Sequence, residues 1–402
     1  MRIAINAQLL SYSDNYRNGG ISRYIRYLLT ALAQRPGEHE YTIFVNGQPV
    51  VERLLRGDVQ ASEQIKYVPV AWSESKPFSR VAWEQLRLPS LLRERRIDVF
   101  HSPANVLPEM LPRRCAGVVT LHDLAFLRFP NILTRAKRFY HRTFTMRSLR
   151  RATMIIANSS STQKDATELA GIASERIQTV YPCIDARFSN VITDEAQQAF
   201  RQKHGLGGGY LLYLGTLEPR KNVVTLLEAY KQLRSVYHRD EKLVLAGSKG
   251  WLYDAIFEKV QRLDLASEVL FPGFVPDSEQ SMWYHAASAF AYPSLYEGFG
   301  IPVAEALACG IPVVTSNVSS LPEAGAGIAL TVDPYDAEAM AAALQQALSD
   351  EELRRRCREL APSIAQQFSA KTMVEQTIAI YEQAAGQHAS PGSYRDVSLA
   401  SK

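Results

Sequence analysis

The chain runs twice through one alternation, in which short apolar runs rich in valine, isoleucine and leucine are each followed by a longer stretch with helical spacing. In the first half, strand candidates fall at residues 2–6, 41–46, 65–70, 98–101, 117–122, 153–158 and 177–181. Helical patterns at 21–33, 83–95, 134–151 and 161–170 lie between them. Parallel strands need a crossover long enough to carry a helix, so this alternation predicts βαβ units and a mainly parallel sheet. The runs are apolar on both faces, as strands covered by helices on either side must be.

After residue 181 the pattern pauses. A polar helical stretch over 194–204 leads into Gly205, Gly207, Gly208 and Gly209, a flexible joint. The alternation then resumes, with strands at 210–215, 242–247, 268–271, 288–292, 311–315 and 328–332. Helical patterns at 223–237, 253–263, 277–285, 302–309 and 336–348 fill the gaps. The reading is an α/β chain of two doubly wound, Rossmann-like domains, residues 1–190 and 205–369, and 402 residues suit two domains better than one. Residues 351–385 are helical without a strand, and the polar tail 387–402 is expected to be disordered.

Composition narrows the class by exclusion. Hydrophobic residues make up 46% of the chain and charged residues 21%, an ordinary globular balance. A formal net charge of +4 singles out no polyanionic partner, and no nucleic acid is expected. Cys115, Cys183, Cys309 and Cys357 stand far apart, which suggests neither a zinc site nor a disulfide framework and fits a reducing, cytoplasmic compartment. The opening MRIAINAQLL reads as a first strand, and no run approaches the roughly 18–20 apolar residues that span a bilayer.

Doubly wound sheets bind ligands beyond the carboxyl ends of their strands, so residues that follow strands carry the chemistry. In YLLYLGTLEPRKN (210–222), Arg220 and Lys221 stand between a strand and a helix start, where free N–H groups and the helix dipole add to two fixed cations. A diphosphate suits that place; a solvated basic loop is the plainer reading. In YPSLYEGFGIPVAEALACGIP (292–312), Glu297 sits on a loop with Gly298, Phe299 and Gly300, and Glu305 lies inside the following helix. Both carboxylates are expected to face one ligand from different heights, while the glycines let backbone N–H groups approach it. His122 and Asp123 end a strand of the first domain, and Gly19 and Gly20 precede its first helix, without a G-x-G-x-x-G fingerprint. Arg135, Lys137, Arg138, Arg142, Arg147, Arg150 and Arg151 crowd one helical stretch, with Phe139, Tyr140, Thr143 and Met146 as its candidate buried stripe. That pattern suits either a solvated surface helix or contact with anionic lipid.

Taken together, GGISRYI, HDLAF, ANSSST, GTLEPRKN, GFVPDSE, YEGFGIPVAEALACG and SNVSSLP resemble glycosyltransferase family 4, retaining enzymes of the GT-B fold, over nearly the whole chain. The resemblance implies two Rossmann-like domains facing across a cleft, with residues 370–386 returning as a helix to the first domain. It implies that Arg220 and Lys221 hold the donor diphosphate, that Glu297 contacts the transferred sugar and that Glu305 contacts the nucleotide ribose. Backbone near Phe274 and Val275 would meet the base, Gly20 the phosphates, Gly298, Phe299 and Gly300 the donor, and His122 the sugar from the opposing domain. No cofactor and no metal are implied. Two positions depart from the family's usual pattern: Ser22 replaces a glycine, and residues 323–327 read EAGAG where a Gly-Asp pair is common.

The likeness to bacterial mannosyltransferases of surface polysaccharide synthesis implies a retaining hexosyltransferase using GDP-mannose, with a UDP-hexose as the alternative. Its acceptor would be a glycan or a lipid-linked saccharide, met in the cytoplasm or at the inner face of the membrane. An epimerase on a similar fold would form product without an acceptor. A phosphorylase would carry pyridoxal phosphate, and a silent sugar-nucleotide-binding scaffold would bind the donor without turnover.

Overall fold

The computed structural model describes residues 1–12, 19–59, 62–70, 77–129 and 135–389. Residues 390–402 of the expected tail and Thr134 of the basic stretch lie outside these, as do the side chains of Arg135 and Lys137.

The first domain is built on β1 (Arg2–Ala7), β2 (Glu40–Asn46), β3 (Ile65–Val70), β4 (Val99–Ser102), β5 (Ala116–Leu121), β6 (Met154–Ala157) and β7 (Ile177–Thr179). They form a seven-stranded sheet in the order β3-β2-β1-β4-β5-β6-β7, every pair parallel. The second sheet comprises β8 (Tyr210–Leu214), β9 (Lys242–Ala246), β10 (Val269–Gly273), β11 (Ala289–Tyr292), β12 (Val313–Ser316) and β13 (Leu330–Val332), in the order β10-β9-β8-β11-β12-β13, again all parallel. Strand order reverses between β1 and β4 in one sheet and between β8 and β11 in the other. The loops leaving those strands diverge there and open a crevice.

Seven helices set the site or tie the halves together: α1 (Gly20–Gln34), α2 (Ser160–Ala170), α3 (Val223–Ser235), α4 (Asp277–His285), α5 (Ile301–Ala308), α6 (Glu351–Gln367) and α7 (Ala370–Ala389). Helix α1 buries Tyr24, Ile25, Leu28, Leu29 and Leu32 at helical spacing against the first sheet. Helix α2 begins at Ser159, whose hydroxyl accepts from Thr162 N at 2.9 Å, and ends at Gly171 in the left-handed region. Asp350 caps α6 through Leu353 N at 2.9 Å. Helix α7 leaves the second domain, and its Met373, Val374, Ile380, Tyr381 and Ala384 join the core that holds Ile3, Ile5 and Tyr24. Tyr381 also meets buried His101 Nδ1 at 2.7 Å, so this helix is bound to the first sheet by packing and by a polar contact. It runs to Ala389, so residues 387–389 are helical rather than part of a tail.

The basic stretch departs from its expected form. It is Arg135–Tyr140 and Met146–Arg151 joined by a widened π turn over His141–Thr145. Phe139 is 69% exposed and is no part of a buried stripe; Thr145, Ser148 and Leu149 are the residues turned inward. Arg151 pairs with Glu109 at 2.9 Å and Arg147 lies 3.9 Å from it, which offsets part of the positive charge. Among the described residues, no helix is long and apolar enough to cross a membrane.

Candidate functional site

The polypeptide leaves β8 into one turn over Pro219–Lys221, and Asn222 (φ 57°) in the left-handed region starts α3. The Asn222 amide donates to Pro293 O at 3.2 Å and Pro334 O at 2.6 Å, which pins this loop beside the one leaving β11. Arg220 and Lys221 therefore project toward Glu297. The Lys221 ammonium donates to Glu297 Oε1 at 2.5 Å and Tyr292 OH at 2.6 Å. Arg220 donates to Glu297 Oε2 at 3.1 Å, Tyr296 O at 2.7 Å and Glu218 Oε1 at 3.0 Å. The cations do not stand unneutralised, because each already has a carboxylate.

Burial alone would raise the Glu297 pKa. The charges of Lys221 and Arg220 outweigh it and hold the carboxyl at about 2, down from 4.5. Burial draws the Lys221 pKa below its ordinary range against the pull of Glu297, so an arriving anion would restore it. The ammonium has three N–H bonds and the two contacts above use two, which leaves one for a ligand. The Glu297 loop is itself braced. Ser319 Oγ accepts from Glu297 N at 3.0 Å, and Ser320 Oγ lies 2.9 Å from both the Glu297 and the Phe299 carbonyls.

Across the cleft, His122 follows β5. Its Nε2 lies 2.7 Å from Pro103 O and its ring meets Tyr24 edge-on at 5.1 Å. Burial lowers its pKa, so the ring is neutral and its proton is committed to that carbonyl. Gly298 lies against this residue: a Cβ there would stand 1.9 Å from His122 O and 2.9 Å from Asn158 Nδ2. Only glycine lets the two loops touch. Gly298→Ala is expected to lower kcat by about 10²-fold, because catalysis is that sensitive to misplacement of about 1 Å. Steady-state kinetics beside a thermal melt would check it; unchanged kcat in a well-folded variant would show that this contact is not needed.

A cavity of about 630 Å³ lies between the domains, lined by Gly20, His122, Arg220, Lys221, Glu297 and Gly298 among others. Gly20 opens α1, and among the described residues no heavy atom lies within 4 Å of where a Cβ would stand. Gly300 (φ 99°) requires glycine conformationally and precedes α5. The Phe299 ring packs against Tyr181 and Phe368, and Val275 belongs to the second core. Phe299 and the half-exposed Phe274 line the cavity, whereas Val275 is buried in that core. Glu305 is fully buried and does not face the cavity openly: Tyr284 donates to it at 3.0 Å, and Arg23 of the first domain pairs with it.

Sequence reasoning missed several lining residues. Arg23 stands inside the quoted GGISRYI, where a cation one helical turn from the glycine pair was the available signal. Asn158, within ANSSST, keeps a buried Oδ1 without a partner among the described residues, beside the cavity. Trp251 carries no pattern that marks it, yet it lines the cavity with Phe274. The two unusual positions have structural reasons. Ser22 Oγ bonds the backbone N and O of Ser11 at 2.9 and 3.0 Å. Glu323 takes the Ser160 and Ser161 N–H groups, both at 2.7 Å, at the start of α2 on the opposite domain. Among the described residues no three of His, Cys, Asp and Glu cluster to hold a metal.

Two facing parallel-sheet domains, with Arg220 and Glu297 on the loops at the switch point of the second, make the GT-B architecture. The model for Glycosyltransferase Family 4 matches residues 18–188, and that for Glycosyl transferases group 1 matches residues 195–363. An Escherichia coli protein, "O-antigen chain mannosyltransferase B", is 32% identical over 90% of this chain and 96% of its own. The longer E. coli "Serotype-specific mannosyltransferase WbdA" is 31% identical over 84% of this chain, which spans only 44% of that relative. Anabaena HepE, solved in complex with UDP and glucose, superposes with a TM-score of 0.70 at 17% identity, over 95% of this chain and 100% of its own. The chain belongs to the family 4 and group 1 glycosyltransferases.

Proposed function

We propose that this glycosyltransferase is a retaining mannosyltransferase that uses GDP-mannose without a metal to extend a glycan or lipid-linked saccharide of a surface polysaccharide. The observation that carries the reading is the Arg220–Lys221–Glu297 cluster at the mouth of the second domain, in a cavity large enough for a nucleotide sugar. The mannosyl assignment follows the E. coli O-antigen relative, and a UDP-hexose donor is the alternative.

The chemistry follows from charge. Cleavage of the sugar–phosphate bond develops positive charge at the anomeric carbon and negative charge on the diphosphate. Arg220, Lys221 and the open start of α1 at Gly20 are oriented in advance to receive that negative charge, in place of a metal ion. Glu297 has one oxygen held by Lys221 and the other by Arg220, which suits an orienting carboxylate beside the sugar better than a covalent nucleophile. Acceptor attack then comes from the face of the leaving group, and the departing phosphate takes the acceptor proton. His122, neutral and fixed to Pro103, faces the sugar from the first domain. Trp251 and Phe274 offer aromatic surface to the base, and Glu305 is the carboxylate for the ribose. The reaction is placed at the cytoplasmic face of the membrane, with the basic segment over 135–151 available to anionic lipid.

A ligand that binds only the folded state raises its melting temperature by mass action. GDP-mannose is expected to raise it more than UDP-glucose or UDP-N-acetylglucosamine, and only GDP-mannose to support transfer to the glycan acceptor. Stabilisation by UDP sugars alone would replace mannose with the alternative donor; no response to any sugar nucleotide would end the reading.

A further inference from the structure

Glu305 has no exposed surface, and one of its two partners comes from the opposite domain. Its Oε2 accepts from Tyr284 OH at 3.0 Å, and Tyr284 is itself fully buried in the second core. Its Oε1 is paired with the Arg23 guanidinium, carried on α1 of the first domain, whose side chain is 12% exposed and lines the central cavity. Arg23 thus stands between the cavity, which it lines, and the buried carboxylate it pairs with. Of the two partners, Tyr284 belongs to the same domain as Glu305, whereas Arg23 is carried by the opposite one.

Arg23 is also incompletely matched. Its Nη2 is shared between Glu305 and Tyr27 OH, at 3.3 Å from the latter, and its buried Nε has no acceptor among the described residues. An N–H left without an acceptor in a buried place weakens this arrangement against one in which the guanidinium is freed. One turn along α1, Arg26 makes a parallel contact to Asp277 on α4 at 2.8 Å, so the ion pairs of α1 close this side of the cleft together.

We propose that Arg23 is an intramolecular occupant of the ribose site, which the donor nucleotide must displace from Glu305 when it binds. The inference rests on the proposed nucleotide-sugar reading. Arg23 is thereby a positioning residue that sets donor affinity. It ties the two faces of the cleft together, and the ribose exchanges an interdomain ion pair for its own hydrogen bonds. A protein whose binding-competent form is only partly populated shows an affinity reduced by that fraction.

The test is calorimetric titration of GDP into the wild type, Arg23→Ala, Arg23→Gln and Arg23→Lys, with kcat and KM for the donor measured on each. Arg23→Ala is expected to bind GDP about tenfold more tightly and to lower the donor KM, because the occupant is gone. Arg23→Lys keeps a cation over Glu305 and is expected to return toward the wild-type affinity. Arg23→Gln, which leaves the buried carboxylate a hydrogen-bond donor, gives the same reading should the alanine variant fail to fold. A purely structural role would lower kcat and stability without tightening GDP. Binding that is unchanged or weaker in the folded neutral variants overturns the proposal, while a wild type that binds no nucleotide overturns the donor reading beneath it.

Discussion

Lys221→Ala is expected to lower donor turnover by about 10²–10³-fold, the range found when one preorganised donor to a developing anion is removed. Lys221 is the more enclosed of the two cations, at 8% exposed, and its ammonium touches both the Tyr292 hydroxyl and Glu297. No neighbour can replace it, since Arg220 is already committed to Glu297, Glu218 and the Tyr296 carbonyl. The substitution also leaves Glu297 with Arg220 alone, so its carboxyl pKa rises from about 2 toward the ordinary range and the variant melts lower. Single-turnover kinetics at saturating donor isolate the chemical effect from that stability loss. Undiminished turnover in a folded Lys221→Ala protein would remove the diphosphate role.

Glu297→Gln is expected to separate binding from chemistry. The amide still fills the space but leaves Lys221 without a carboxylate and Arg220 with Glu218 alone, and breaking a buried pair from one side costs about 3–5 kcal/mol of stability. The freed cations should hold GDP at least as tightly as before, while kcat falls because the group beside the sugar has lost its charge. Equal losses in GDP affinity and kcat would place Glu297 away from the reacting carbon. The variant also has a pH signature. A carboxyl with a depressed folded pKa contributes stability above its unfolded value, and that contribution is lost as pH falls through the folded value. The wild type should therefore lose this contribution between pH 4.5 and about 2, and Glu297→Gln should lack that part of the acid dependence.

Some of the site was legible because its chemistry is local. Arg220 and Lys221 follow a strand, Glu297 follows another, and both loops lie where parallel strands end, so their convergence follows from the alternation alone. Gly298 and Gly300 stood out by residue type, but the reason for each is tertiary: one touches the His122 carbonyl, the other needs φ 99°. The basic segment shows the opposite case. Its apolar stripe was drawn at ideal helical spacing, and the π turn over His141–Thr145 rotates the following residues and leaves Phe139 outside.

The sequence by itself determined the two parallel-sheet domains and which loops carry charge, because hydrophobic period and turn residues act over a few residues of chain. Only the tertiary structure decided which charges meet. That Glu297 neutralises Lys221, that Arg23 covers Glu305 from 282 residues away, and that Glu323 caps a helix of the other domain are outcomes of packing two domains face to face. A buried charge must find a partner wherever the fold brings one, and no short-range pattern in the chain records that choice.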